Sequence, residues 1–300
     1  MLDKESRKSR PENQVERKAI INSQFRRKWH SFCKRKVAVL GLIIVLAYAL
    51  VAIFADQLAP QDPYQQDLVN MLQGPSAEHL LGTDEMGRDI LSRLIYGTRI
   101  SMRVGTMAVS VALVLGMPLG IIAGYFGGKV DAIIMRCMDV LMAFPGMLLA
   151  IMFVSILGSN LNNAIIAVGI YTVPNYARIA RGETLTIKGN EYIEAARAVG
   201  ASHLRVVFSH VLINTLAPLI IMCTLSFGQA IVTTAGLGFL GIGAQPPTPE
   251  WGAMLSSGRQ YLLVAPHVTT ITGLVILFLA LGLNLMGDGL RDVLDPKLKD

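Results

Sequence analysis

The chain has 300 residues, of which 52% are hydrophobic and only 16% charged, with a mean hydropathy of +0.49. A water-soluble domain carries roughly 25% charged residues, so this balance excludes an ordinary soluble enzyme and points to lipid as the solvent. The net charge of +6 does not imply nucleic acid, because residues 1–36 hold twelve Lys/Arg against four Asp/Glu, a surplus larger than that of the whole chain.

That basic tail ends in Lys34-Arg35-Lys36, directly before the first apolar run. Excess Lys/Arg beside a span marks the cytoplasmic side of a membrane, so the N-terminus is expected in the cytoplasm, its charges facing anionic lipid headgroups. Residues 37–55, VAVLGLIIVLAYALVAIFA, carry no charge and are long enough to cross a hydrocarbon core of about 30 Å. More than thirty residues precede this run, unlike the arrangement of a cleavable signal peptide. The three cysteines, Cys33, Cys137 and Cys223, are too widely spaced for a disulfide framework or a metal-ligand pattern, and no metal site is expected.

Residues 56–98 form an extracytoplasmic segment. Pro60, Pro63 and Pro75, with Gly82 and Gly87, predict turns, and a short helix is expected to start near Asp89, where a carboxylate suits the positive end of a helix. Asp84, Arg88 and Asp89 have no nucleophile–base pair beside them and read as charges that hold the loop together.

Further spans are expected at about 102–124, 135–157, 162–180, 215–240 and 266–286, giving an all-α protein of six transmembrane helices. Residues 99–287 make a five-helix core, and an even number of crossings returns the tail 288–300 to the cytoplasm. Twenty-two of the 27 Lys/Arg then fall on the cytoplasmic side or at its boundary; Arg88, Arg93, Arg99 and Arg103, in or beside the external segment, run against that pattern. Pro118, Pro145 and Pro174 each remove a backbone donor inside a span and predict kinks. Arg136 and Asp139, three apart on one helix face, are expected to pair with each other, the alternative being a role in a gate or transport path.

Two glycine-rich stretches resemble nucleotide sites only superficially. GLGFLG, Gly236 to Gly241, matches the dinucleotide fingerprint but closes an apolar span where that fingerprint needs a strand and a helix; close helix packing through small residues is the expectation. GYFGGKVD, Gly124 to Asp131, lacks the glycine spacing and the hydroxyl after the lysine that a phosphate loop needs.

Between the fourth and fifth spans lies a polar, helix-prone stretch of about 190–214, NEYIEAARAVGASHLRVVFSHVLIN. Tyr192, Ile193, Ala196 and Val199 share one helical face, and Glu191, Glu194 and Arg197 another. Glu194 and Arg197 can pair at i,i+3. Gly200 suits the left-handed residue that ends a helix, and Ser202 can cap a second helix through His203, Leu204 and Val207. Nine helical residues are marginal alone in water, so this element needs a partner, and a groove in another protein that accepts an amphipathic helix fits it.

EAARAVGA followed by HVLIN resembles the EAA loop of ABC importer permeases, with signature E-A-A-x-x-x-G and a downstream I-x-L-P. HLLGTDEMGRDILSR, GLGFLGIGAQPPTPEWGAML and NLMGDGLRDVLDPKLK are similar to segments of the second permease subunit of the dipeptide/oligopeptide/nickel group. The resemblance covers nearly everything from about residue 30. It implies the type I ABC importer permease fold. Glu191, Glu194, Ala195, Ala196, Arg197, Gly200, Ala201, His210 and Asn214 are then the residues that couple the membrane helices to an ATPase. The isoleucine position of the signature holds His210 and its proline position Ile213, so the second coupling helix is expected to run into the fifth span without a proline break.

The function implied is that of a permease subunit in an ATP-driven importer of di- or oligopeptides or related small solutes. Its partners would be a homologous second permease, two ABC ATPase subunits, an extracytoplasmic solute-binding protein and membrane lipid, with no nucleic acid. ATP and magnesium would sit on the ATPase subunits, leaving this chain without a cofactor or a catalytic residue. The location implied is the bacterial inner membrane, with both termini cytoplasmic. The alternative from another class, a stand-alone ion- or proton-coupled carrier, needs buried acids at mid-membrane, and the expected spans carry none there. No substrate-binding residue is assigned by the sequence.

Overall fold

A computed structural model describes residues 26, 27 and 29–294; residue 28, most of the basic tail (1–25) and the end of the C-terminal tail (295–300) lie outside the described residues. The first long helix, α1 (Lys36–Ile53), is apolar on every side and is followed by the single turn α2 (Ala55–Leu58). The bundle continues through α3 (Ile90–Phe126), α4 (Gly128–Met142), α5 (Gly146–Leu157) and α6 (Leu161–Lys188). Two short helices, α7 (Glu191–Ala198) and α8 (His203–Val206), precede α9 (Leu212–Phe239), and α10 (Trp251–Gly258) and α11 (Pro266–Leu294) complete the chain.

Small residues set the helix spacing. Gly116, Gly120 and Gly124 recur every fourth position along α3 and face α6; a Cβ at Gly120 would lie 2.2 Å from the Ala177 carbonyl oxygen. Gly41 of α1 meets Gly282 and Met286 of α11 in the same way, with a Cβ 2.6 Å from the Met286 nitrogen. Lipid offers apolar side chains as good a solvent as a neighbouring helix does, so close backbone approach is what holds such bundles together. α6 is enclosed on two sides: Ala164, Ile165 and Val168 are buried against Val104 and Ala108 of α3 and Ala150 and Val154 of α5.

Among the described residues, four runs are long and apolar enough to cross a membrane: α1, α3, the continuous stretch His203–Phe239 and α11. The pair α4 and α5 adds a fifth if it is one span, although it bends by 90° between Met142 and Gly146. The expected span 135–157 is therefore broken at Ala143-Phe144-Pro145, where a kink is predicted, because Pro145 cannot continue the hydrogen-bond ladder. The expected fourth span, 162–180, lies within the 28-residue α6, which is not among the runs apolar enough to cross. That helix carries Asn162, Asn163, Arg178 and Arg181, which surrounding helices and its exposed ends accommodate. Pro118 and Pro174 sit inside α3 and α6, as does Pro218 inside α9.

Two local expectations are corrected. The helix that begins at Asp89 is not short: it merges with the expected second span into the 37-residue α3, about 55 Å long at 1.5 Å per residue. Asp89 caps it by accepting from the Ser92 N–H at 2.7 Å. Arg136 and Asp139 do not pair; Arg178 of α6 donates to Asp139 at 2.7 Å instead, and Arg136 is exposed. A partner on a packed neighbouring helix reaches Asp139 more directly than one three residues earlier on its own helix.

The segment 56–98 is held by buried charge. Asp84 accepts from the backbone N–H groups of Met86 and Arg88, both at 2.9 Å, and from the Arg88 Nε at 2.7 Å. The Arg93 Nε lies 3.2 Å from the same carboxylate, and its Nη1 donates to the carbonyls of Pro63 and Pro247, tying this segment to the loop before α10. Asp84, Arg88 and Asp89, the charges expected to hold the loop, are all buried, as is Arg93.

GLGFLG closes α9 as a packing motif: a Cβ at Gly238 would lie 2.6 Å from Glu250 Oε2, and one at Gly252 2.2 Å from the Ala235 carbonyl oxygen. Glu250 caps α10 through the N–H groups of Gly252 and Ala253, at 2.9 and 2.8 Å. Burial pushes its carboxyl above the usual range, the two N–H bonds opposing that shift only in part. A folded-state value above the unfolded one means that stability falls as pH rises through it. In Glu250→Gln that component of the slope is expected to vanish. Thermal unfolding midpoints from pH 5 to 8 check this, and an equally steep decline in the variant would contradict it.

Candidate functional site: the loop between α6 and α9

The stretch 190–214 folds as predicted at its joints. α7 ends in a Schellman motif: the Gly200 N–H donates to the Arg197 carbonyl at 2.9 Å and the Ala201 N–H to the Ala196 carbonyl at 3.0 Å. Gly200 has a φ of +91°, which an L-residue adopts only at a cost. Ser202 accepts from the Arg205 N–H at 3.4 Å and caps α8. One π-helical turn, Val207–Val211, then leads into α9. Ile213 is helical and 60% exposed, and the chain runs from His203 to Phe239 as one span, as the missing proline predicts.

Of the four residues that share the apolar face of α7, Ile193 is buried and Ala196 half-buried, while Tyr192 is exposed and Val199 is 91% exposed, so much of that face is left open to a partner. Ile193, Val206 and Val211 form one apolar cluster with Ile121 and Tyr125 of α3 and Ala180 and Ile187 of α6. Outside it, Val199, Leu204 and Phe208 are exposed, as are Glu191, Glu194 and Ala195; large apolar side chains left in the open make this loop a candidate interaction surface. His210 and Ala201 are half-buried; the His210 ring lies 5.8 Å from that of Tyr192, and Asn214 donates to the His210 carbonyl at 2.7 Å.

Glu194 and Arg197 do not form the expected i,i+3 pair. Arg197 turns to the end of α3, its guanidinium carbon 5.6 Å from the centre of the Tyr125 ring and its Nη2 3.3 Å from His203 Nδ1. The low-dielectric face of a buried ring holds a cation better than an exposed carboxylate does in water. Tyr125 belongs to the GYFGGKVD stretch, and only the three-dimensional arrangement brings it to this loop. The periodicity of α3, which buries Ile121 and Tyr125 on one face, is the one signal that could have drawn attention to it.

Comparisons with known proteins agree with this arrangement. The family described as binding-protein-dependent transport system inner membrane component matches residues 116–300. The N-terminal TM domain of oligopeptide transport permease C matches residues 23–75. The chain is 48% identical, over 92% of its length and 91% of the relative's, to a dipeptide transport system permease protein DppC of Alkalihalophilus pseudofirmus. It is 45% identical, over 95% of both chains, to a glutathione transport system permease protein GsiD of Pectobacterium atrosepticum. Among solved structures, an inward-facing MetNI methionine ABC transporter chain superposes with a TM-score of 0.56 at 21% identity, over 68% of this chain and 97% of that one. At that identity the likeness concerns the fold alone.

Proposed function

The chain belongs to the family of binding-protein-dependent transport system inner membrane components, and from that premise we propose that it is the second permease subunit of an ABC importer for di- or oligopeptides or related solutes such as glutathione. Its helices pack against a homologous permease to enclose the pathway. Two ATPase subunits dock on α7 and α8, and a solute-binding protein delivers substrate at the opposite end. ATP and magnesium are held by the ATPase subunits, and this chain performs no covalent chemistry. Both termini are cytoplasmic in the bacterial inner membrane, and the basic group Arg26, Arg27, His30 and Lys34, just before α1, meets anionic lipid.

The observation that carries this reading is the exposed loop itself. α7 contributes a single buried side chain, Ile193, to the bundle, yet an isolated helix of eight residues does not hold in water. Its exposed apolar neighbours, Val199, Leu204 and Phe208, supply the surface that a partner's groove covers. When ATP draws the two ATPases together, the covered helices move with them and the spans tilt between inward- and outward-open arrangements.

The test is purification in mild detergent with the neighbouring subunits co-expressed. An ATPase is expected to accompany the chain; its absence from the wild-type preparation favours the stand-alone secondary carrier. Glu194→Lys reverses a charge on the docking face, and Gly200→Val forces a β-branched residue to a φ of +91°. That strain, about 1–2 kcal/mol, swings α7 relative to α8. A Cβ there meets nothing within 4 Å, so the effect is one of direction and not of collision. Both variants are expected to lower uptake per ATP hydrolysed by about tenfold or more, the factor that 1.4 kcal/mol corresponds to. Wild-type uptake in both would refute the assignment of the coupling surface.

A further inference from the structure

We propose that Tyr125 is the residue that passes motion of the coupling loop into α3; this rests on the permease reading given above. Tyr125 lies in the last turn of α3 and is 2% exposed. Its one side chain meets three successive elements of the loop region. The Lys188 ammonium, at the end of α6, donates to the Tyr125 carbonyl at 2.7 Å and lies 5.9 Å from the ring centre. Arg197 of α7 lies 5.6 Å from the same centre. His203 of α8 places its Nδ1 2.9 Å from the Tyr125 hydroxyl, its ring edge-on to the tyrosine at 5.7 Å. Tyr125 and Ile193 share one cluster, so the tyrosine holds the coupling loop by packing, by hydrogen bonding and by the attraction of two cations to its ring.

The rest of α3 suits the part. The turn that follows, Gly127-Gly128, has positive φ at both residues, and a Cβ at either would touch nothing within 4 Å. The end of α3 is therefore held from the loop side by Tyr125 and not by the turn. Over its last turns α3 meets α6 through Gly116, Gly120 and Gly124, and nearer its start through Val104 and Ala108. At its far end Asp89 caps the helix inside the buried group of His79 and Ser92. A displacement applied at Tyr125 thus has a continuous helix to travel along, to the loop 56–98 at the opposite end. Transmission of this kind rests on an element that both ends bias, and the contacts at each end of α3 supply that.

The role is positional, and two substitutions separate it from plain packing. Tyr125→Phe keeps the ring and removes the hydroxyl bond to His203. Tyr125→Leu keeps an apolar side chain and removes the ring's attraction for both cations. The double variant Lys188→Gln/Arg197→Gln removes the cations and leaves the tyrosine in place. Reconstituted with its ATPases, a second permease and binding protein, the assembled complex is expected to hydrolyse ATP within about twofold of wild type in both Tyr125 variants. Uptake per ATP is expected to fall about tenfold for Tyr125→Leu and for the double variant, the combined scale of two cation–π contacts, and about threefold for Tyr125→Phe. Wild-type coupling in Tyr125→Leu overturns the proposal. So does failure of both Tyr125 variants to assemble, which would make the tyrosine a packing residue only. A wild-type chain that recruits no ATPase would refute the permease reading itself, an outcome visible before any variant is made.

Discussion

Asp84→Ala is expected to cost about 3–5 kcal/mol, the scale on which removing one partner of a buried ion pair acts, and to leave little folded protein. The carboxylate accepts two backbone N–H groups and the Arg88 guanidinium, with Arg93 3.2 Å away. Arg88 and Arg93 are 5% and 3% exposed. Alanine would leave both cations buried; only Arg88 retains another carboxylate, Glu85 at 2.9 Å. Asp84→Asn keeps an oxygen for the turn's N–H groups but loses the charge, so its unfolding midpoint is expected between those of wild type and Asp84→Ala. Monodisperse yield and thermal midpoint in detergent measure the series. An alanine variant as stable as wild type would mean that water reaches this site and that the charges do not hold the loop.

Gly120→Val is expected to be the second most damaging change. The added Cβ would lie 2.2 Å from the Ala177 carbonyl oxygen and 2.7 Å from the Ala180 Cβ. The nearest obstacle is backbone and cannot rotate away, so α3 and α6 must separate. Overpacking of this kind costs about 1–3 kcal/mol or more, here at the interface of the two helices whose ends pack against the loop 190–214. Gly273→Ala is the matched control: it is also in mid-helix, but nothing lies within 4 Å of its Cβ. It is expected to leave stability unchanged or to raise it by up to about 1 kcal/mol, the helical penalty of glycine. Equal thermal midpoints for the two variants would show that the α3–α6 approach does not limit stability.

The coupling loop illustrates what pattern can and cannot reveal. Gly200 and Ser202 were readable because a helix stop and a helix cap are local events, decided by one residue's backbone freedom and one hydroxyl. Which apolar residues of α7 the bundle buries is not legible in the pattern: periodicity groups Tyr192, Ile193, Ala196 and Val199 on one side, and of these Ile193 alone is fully buried. The partner of Arg197 was misassigned for a similar reason. An i,i+3 carboxylate is near in sequence, while the ring of Tyr125 is 72 residues earlier in the chain and near only in space.

By itself the sequence determined that this is a helical membrane protein with apolar runs joined by a charged loop, and its motifs identified the kind of machine to which that loop belongs. Both follow from terms that act residue by residue: transfer of apolar side chains into lipid, and the turn chemistry of proline, glycine and serine. The tertiary structure alone decided that the helix beginning at Asp89 joins the second span, that the third breaks at Pro145, and that Asp139 pairs with Arg178. It also decided that the loop 190–214 meets Tyr125 through His203 and Arg197. Those are choices among partners distant in the chain, and their energies depend on which backbones the glycines allow to approach.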